Sequence, residues 1–203
     1  MKLRDMMAAC VLLSVVVVGT GCATFSNKEL ALAGSIPDMN PGAEKPAVLV
    51  EARYFRGLPG SGNVLAMPNV DRRAEVGKTL TASGLFKKVS FNPADVSASD
   101  YTLIVDTYNH VNLTAASLGG VITGLTLYLV PSKATDNFTE ILTLKDKTGV
   151  EVWTTKNKDS MSMWQGVWFL PWMGNTPDKI LNQTLENQLQ TALVDLAKSG
   201  KLK

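Results

Sequence analysis

The chain has 203 residues, 45% of them hydrophobic, with 20 Lys and Arg set against 18 Asp and Glu. That near-balance lacks the basic excess with which a nucleic-acid-binding protein neutralises phosphates. A single histidine, His110, excludes by count a two-histidine metal site and a histidine-rich zinc centre, and Cys/His catalysis is not expected because Cys10 lies in the apolar leader and Cys22 at its end.

Lys2 and Arg4 form a short positive n-region, Met6 to Val18 an uncharged apolar h-region, and Gly19-Thr20-Gly21 the small residues that precede a signal-peptidase cut. The apolar run is shorter than the ~20 residues a membrane span needs, so residues 1–21 read as a removable signal. Cys10 leaves with it, no internal disulfide is left to form, and the fold rests on its hydrophobic core. Thr20, Gly21 and Cys22, behind the valines Val15 to Val18, resemble the bacterial lipoprotein box, with Gly19 where that family usually carries Leu, Val or Ile. The resemblance implies that Cys22 becomes the first residue of the mature protein and is lipidated. Ala23, where an Asp would retain the protein at the inner membrane, resembles cargo sent to the outer membrane and implies a lipid-anchored protein on its periplasmic face. One acyl chain attaches reversibly, whereas two or more sum their methylenes at ~0.8 kcal/mol each into stable anchoring.

After Cys22 the composition turns to Ser, Asn, Gly, Ala and Pro, with Pro37, Pro41 and Pro46 as punctuation, so residues 22–46 read as a lipidated tether. Residues 47–203 are long enough for one domain. Ala47 to Phe55 reads as its first strand, and Asn69 to Leu85 as a helix that Asn69 caps and Gly84 stops. Gly77-Lys78-Thr79 supplies only the tail of a phosphate loop, with Arg72 in place of its first glycine, so no nucleotide site is expected. Phe86 to Phe91 and Tyr101 to Tyr108 follow as strands.

The helix end and paired strands of Ser83-Gly84-Leu85-Phe86-Lys87-Lys88-Val89 and Ser99-Asp100-Tyr101-Thr102-Leu103-Ile104-Val105-Asp106 look like envelope lipoprotein domains related to the amino-terminal domain of the Tol-system translocation protein and to the curli-secretion lipoprotein. The resemblance covers about sixty residues and implies an α/β fold more than a function.

Val111 to Ser132 carries no charge, and past Gly119-Gly120 it alternates Thr123, Leu125, Leu127 and Leu129 with Gly124, Thr126, Tyr128 and Val130, the period of a strand hairpin. Asn137 to Lys145 and Val150 to Lys156 make a second hairpin about Asp146-Lys147-Thr148-Gly149. Ser160 to Gly174 reads as a proline-broken loop carrying Trp164, Trp168, Phe169 and Trp172, a candidate interaction surface, because Trp and Met are enriched at interfaces and at membrane headgroups. Packing of that loop into the core is the competing reading. The chain closes on its clearest helix, capped by Thr176 with Pro177 in the first turn and ended by Gly200; Ile180, Leu181, Leu185, Leu189, Leu193 and Leu196 lie on its apolar stripe, with Thr184 and Gln188 as polar members.

No Gly-x-Ser-x-Gly elbow presents a serine to His110 and Asp106, and the carboxylates Glu51, Asp100, Asp106 and Glu140 could form an acid/base pair only if the fold brought them together. These patterns predict an α/β domain, a mostly antiparallel sheet with two main helices packed on it, behind a signal peptide and a flexible tether. The expected protein is not an enzyme and uses no cofactor or metal. It is held to the membrane through Cys22 and acts as a binding or scaffolding component with an envelope protein partner. Two alternatives remain open: an oligomeric translocation or pore lipoprotein that inserts the 111–132 hairpin, and a hydrolase with a dispersed site.

Overall fold

The computed structural model describes residues 21–37, 44–111 and 113–202, with the side chains of 113–116 excepted. The expected signal peptide, residues 1–21, lies outside the described residues except for Gly21. The α/β class holds, and the sheet is mixed. The expected single domain gathers into two compact units, one built from residues up to Asn27, Asn112–Asp136 and Met161–Leu181, the other from Lys28–Val111, Asn137–Ser160 and Asn182–Lys203.

In the second unit, β2 (Ala47–Arg56) pairs antiparallel with the short β3 (Leu65–Ala66) and parallel with both β4 (Lys88–Ser90) and β5 (Tyr101–Val111). Parallel pairing follows from the connection, since the helix α1 (Arg73–Ala82) supplies the crossover that a strand needs to return in the same direction. Asp100 fixes the register of β2 on β5: its carboxylate accepts from the backbone N–H of Ala47 at 2.8 Å while its own N–H donates to the carbonyl of Ala47 at 2.9 Å. β6 (Ser132–Asp146) and β7 (Glu151–Gln165) form the expected hairpin with longer arms; Asp146 Oδ1 accepts from the N–H groups of Thr148 and Val150, and Gly149 takes the positive φ of the turn.

Strand residues two apart share a face. Val48, Val50, Leu103, Val105, Leu142 and Leu144 therefore form one apolar sheet surface, covered by Val76 and Leu80 of α1 and by Leu189, Leu193 and Leu196 of α3 (Pro177–Ser199). The stripe expected on α3 is the buried one. Its polar member Gln188 is tied in by its amide nitrogen and backbone, Nε2 donating to Asn157 Oδ1 at 3.0 Å while Asn157 Nδ2 donates to the Gln188 carbonyl at 2.8 Å, and its Oε1 has no hydrogen-bond partner among the described residues. Sequence spacing puts Val70, Ala74, Gly77, Leu80 and Leu85 on one face of this segment; Leu80 and Leu85 are buried, whereas Val70 and Ala74 are exposed and Val76 and Thr79 take their place on the buried side. The helix starts at Arg73 because Asp71 accepts from the Arg73 N–H at 3.0 Å, so Asn69 lies outside it.

Gly84 ends that helix as expected, at φ +66°. A Cβ there would meet only Lys45 Nζ, at 3.6 Å, so Gly84→Ala tests conformation without a clash. It should destabilise the protein by about 1 kcal/mol, read by urea denaturation, the cost of holding an L-residue in the left-handed region. An unchanged midpoint would show that the turn relaxes freely.

The first unit departs most from the sequence reading. Residues 113–132 do not form a hairpin: α2 (Leu113–Leu125) is a helix, and Leu127 and Tyr128, at φ +50° and +64°, reverse the chain after it. Thr126 Oγ1 accepts from the Val130 N–H at 3.2 Å and the Tyr128 N–H donates to the Thr123 carbonyl at 2.8 Å, so the alternating stretch is a helix end and turn. The helix that contradicts the hairpin has its own period, Leu118, Val121, Ile122 and Leu125 recurring at i, i+3, i+4 and i+7. Part of the expected tether is also ordered. Cys22–Ser26 is a strand, β1, antiparallel to β7 in the register Cys22 with Gln165 and Ser26 with Met161. In the second unit, Ala33 donates its N–H to Asn187 Oδ1 at 2.8 Å and Asn187 Nδ2 returns a bond to the Ala31 carbonyl. These bonds, with Ile36 packed against the core, hold the segment in place.

Candidate membrane-facing surface

β7 runs through Gln165, so Met161 to Trp164 belong to a strand, and only Val167–Trp172 forms the irregular turn expected of the whole 160–174 stretch. That turn is tied to the end of α2 by two bonds: the Val167 N–H donates to the Tyr128 carbonyl at 3.1 Å, and Trp168 Nε1 donates to the Leu129 carbonyl at 2.9 Å. Gly166 makes the junction possible, since a side chain there would lie 3.3 Å from Pro131 at φ +154°. Trp168 thus has its polar edge engaged and its ring 63% exposed.

The four aromatic residues proposed from sequence divide into two pairs. Trp168 and Trp172 are exposed, together with Leu170 and Met173. Trp164 and Phe169 are half-buried and pack on each other with ring centroids 5.4 Å apart; Phe25 of β1 approaches Phe169 at 6.4 Å, and the Lys133 ammonium lies 5.6 Å from the Trp164 centroid. The rings of this stretch are therefore neither all buried nor all in solvent.

Sequence reasoning missed the larger part of the surface. α2 turns Leu118, Val121, Ile122 and Leu125 outward, the last 80% exposed, and the turn after it adds Leu127, Leu129 and Val130. Contiguous apolar exposure is the feature that protein- and membrane-interaction sites share. The helical spacing of these residues was the available signal, hidden by the strand alternation that overlaps it. Cys22 is exposed at the start of β1, opposite Gln165 and thus two positions from the aromatic turn, with Ala23 and Thr24 buried behind it. Among the described residues no helix is long and apolar enough to cross a membrane.

The groups considered for chemistry are dispersed in the second unit. Asp106 is held by Arg53 through bonds of 2.6 and 2.7 Å, which raises the guanidinium pKa further. His110 Nε2 lies 3.3 Å from Thr139 Oγ1; burial and then the charge of Lys158 lower its pKa. Asp100 is bound to Lys147 at 2.8 Å, which with the Ala47 N–H keeps its carboxyl below the ordinary range. Glu51 is exposed and Glu140 is buried. Among the described residues no cluster of three or more His, Cys, Asp or Glu could hold a metal ion.

No family model matches the chain, and no curated protein does. Among solved structures, a point variant of the PelC dodecamer from Paraburkholderia phytofirmans is similar at 13% identity over 86% of this chain and 97% of that one, with a TM-score of 0.35. A second crystal form of PelC gives 11%, 86%, 96% and 0.34. A presumed lipoprotein from Caulobacter crescentus CB15 is similar at 13% identity over 73% of this chain and 90% of that one, with a TM-score of 0.31. Likeness at this distance brings no function with it.

Proposed function

We propose that the protein is a lipid-anchored envelope protein that lies on the periplasmic leaflet of the outer membrane and acts there as a non-catalytic binding or scaffolding component. The observation that supports this most directly is that one compact unit carries both the exposed Cys22 and the outward apolar face of α2 and the 167–172 turn. Stable attachment takes two signals, and an acylated cysteine beside an apolar surface provides them together. The 13 residues of α2 span about 20 Å at 1.5 Å each, short of a hydrocarbon core of about 30 Å, so the helix suits an interfacial position and not a crossing. Trp168, Trp172 and Tyr128 are the residue types found at headgroup level.

The test uses the chain from residue 22 onward with Cys22→Ala, which removes both the signal and the acyl group from the measurement. It should float with vesicles of phosphatidylethanolamine and phosphatidylglycerol. Adding Val121→Ser, Ile122→Ser, Leu125→Ser and Trp168→Ser should reduce vesicle binding by about tenfold or more while the melting temperature stays nearly constant, because exposed positions contribute little to stability. Equal flotation of the two proteins would remove the surface from the membrane, and a shift from dimer to monomer would assign it to a second copy of the chain.

A further inference from the structure

In the second unit, α1 and α3 flank a cavity of about 140 Å³ that plays no part in the membrane-facing surface. Sites for nucleotides and larger cofactors run to about 300–1,000 Å³, so this one suits a ligand of a few heavy atoms. Val76, Leu185 and Leu189 give it apolar walls, and Glu140 of β6 lies among its lining groups. Glu140 is 2% exposed; Oε1 lies 3.5 Å from Thr107 Oγ1, and Oε2 has no hydrogen-bond partner among the described residues. A buried carboxyl oxygen in that position favours a ligand that brings a donor to it.

The remaining charges restrict the ligand further. From α1 and the residue before it come Arg72, Lys78 and Glu75, and from α3 comes Glu186, whose carboxylate accepts from Gln190 Nε2; Thr107 on β5 is uncharged. Among the described residues neither Arg72 nor Lys78 belongs to an ion pair. Arg72 is near enough to act on the Glu140 carboxyl through space without bonding to it. The cavity therefore carries in its lining a guanidinium outside any ion pair and a carboxyl with one unpartnered oxygen, with other charges of both signs at its edge. A cation alone would leave Arg72 opposed, and an anion alone could meet Glu140 only in its neutral, protonated form, whereas a ligand with both charges pairs each group in its ionised form. We propose that this cavity binds a small molecule with an ammonium beside a carboxylate, the chemistry of a free α-amino acid, its ammonium on Glu140 and its carboxylate on Arg72.

Burial pushes the Glu140 pKa up to about 8 against the opposing pull of Arg72 and the Thr107 bond, so the empty site holds a proton at neutral pH. Binding an ammonium displaces that proton. Affinity should then rise about tenfold from pH 6 to pH 7 and level off above the pKa, with close to one proton released per ligand at the lower pH.

The full chain carrying Cys22→Ala would be titrated with L-alanine, and with ethylammonium and acetate as single-charge controls, by amide NMR shifts and by calorimetry in two buffers of different ionisation enthalpy. L-Alanine should bind more tightly than either control and release a proton. Glu140→Gln should weaken binding about tenfold and abolish its pH dependence. Arg72→Ala, a change at the cavity edge that leaves the buried groups in place, should reduce L-alanine to the affinity of ethylammonium. The proposal is overturned if L-alanine moves no cavity amide at about 10 mM, if acetate binds as well as alanine, or if both variants keep the wild-type affinity and pH profile.

Discussion

Glu140→Gln is expected to flatten the dependence of stability on pH between about 5 and 8. The Glu140 carboxyl titrates near 8 in the folded protein and near 4.5 once exposed. A folded-state pKa raised above the unfolded value means that the native state binds the extra proton. Its contribution is fully present below pH 4.5, declines as the unfolded chain ionises, and is gone above about 8. Over that window the slope is about 1.4 kcal/mol per pH unit, a loss of several kcal/mol in all. Burial is the leading cause, and both Arg72 and the long Thr107 bond act against it, so the shift reports desolvation of a nearly inaccessible group. Asp159 is also raised by burial, but it is present in both proteins and cancels in the comparison. Urea denaturation of wild type and variant at pH 5, 6, 7 and 8 measures the difference directly. Parallel curves would mean that Glu140 ionises freely in the fold.

The features legible in the sequence are those with a single local cause. Gly84 and the Asp146 to Gly149 turn were readable because a positive φ or an Asx bond fixes the residue type at one position. The stripe of α3 was readable because twenty-three residues of helical period leave no competing interpretation. α2 was not, since its apolar residues satisfy a helical spacing up to Leu125 and a strand spacing from Thr123 onward, and the choice is made by Leu127 and Tyr128 adopting a left-handed backbone. No residue type announces that. β1 was hidden for another reason: Cys22 to Ser26 is too short to show a pattern, and its strand form depends on the edge that Met161 to Gln165 offers. The same partner removes Trp164 from the loop and buries half of it, while Trp168 and Trp172, in the same sequence cluster, stay in solvent. Glu140 was one carboxylate among several until its depth and its unbonded oxygen set it apart.

The position of β1 changes what a lipid on Cys22 would do. A cysteine at the end of a free tether lets its domain drift from the bilayer, whereas one that opens a paired strand keeps its own unit within a few residues of the acyl chains. On the proposed function, the anchor and the apolar face would act as one attachment, the lipid supplying most of the free energy and the face supplying orientation.

Cys22→Ala should accordingly abolish incorporation of a palmitate analogue and, when a cleavable secretory signal replaces residues 1–21 so that no apolar leader is retained, move most of the protein from the membrane to the soluble fraction. The thiol is the atom that forms the thioether, and each acyl chain withdrawn removes ~0.8 kcal/mol per methylene, far beyond what a surface of a few leucines and tryptophans can replace. Folding should be unaffected, because Cys22 is exposed and its backbone pairing with Gln165 does not involve the side chain. The residual membrane-bound fraction is the informative quantity. It should persist in Cys22→Ala, since the face of α2 and the aromatic turn remains, and vanish when Ile122→Ser and Trp168→Ser are added. A wild-type protein that takes up no label while Cys22→Ala fractionates unchanged would remove the lipid anchor from the account. A labelled wild type with no residual binding in Cys22→Ala would instead keep the anchor and release the apolar face for a protein partner.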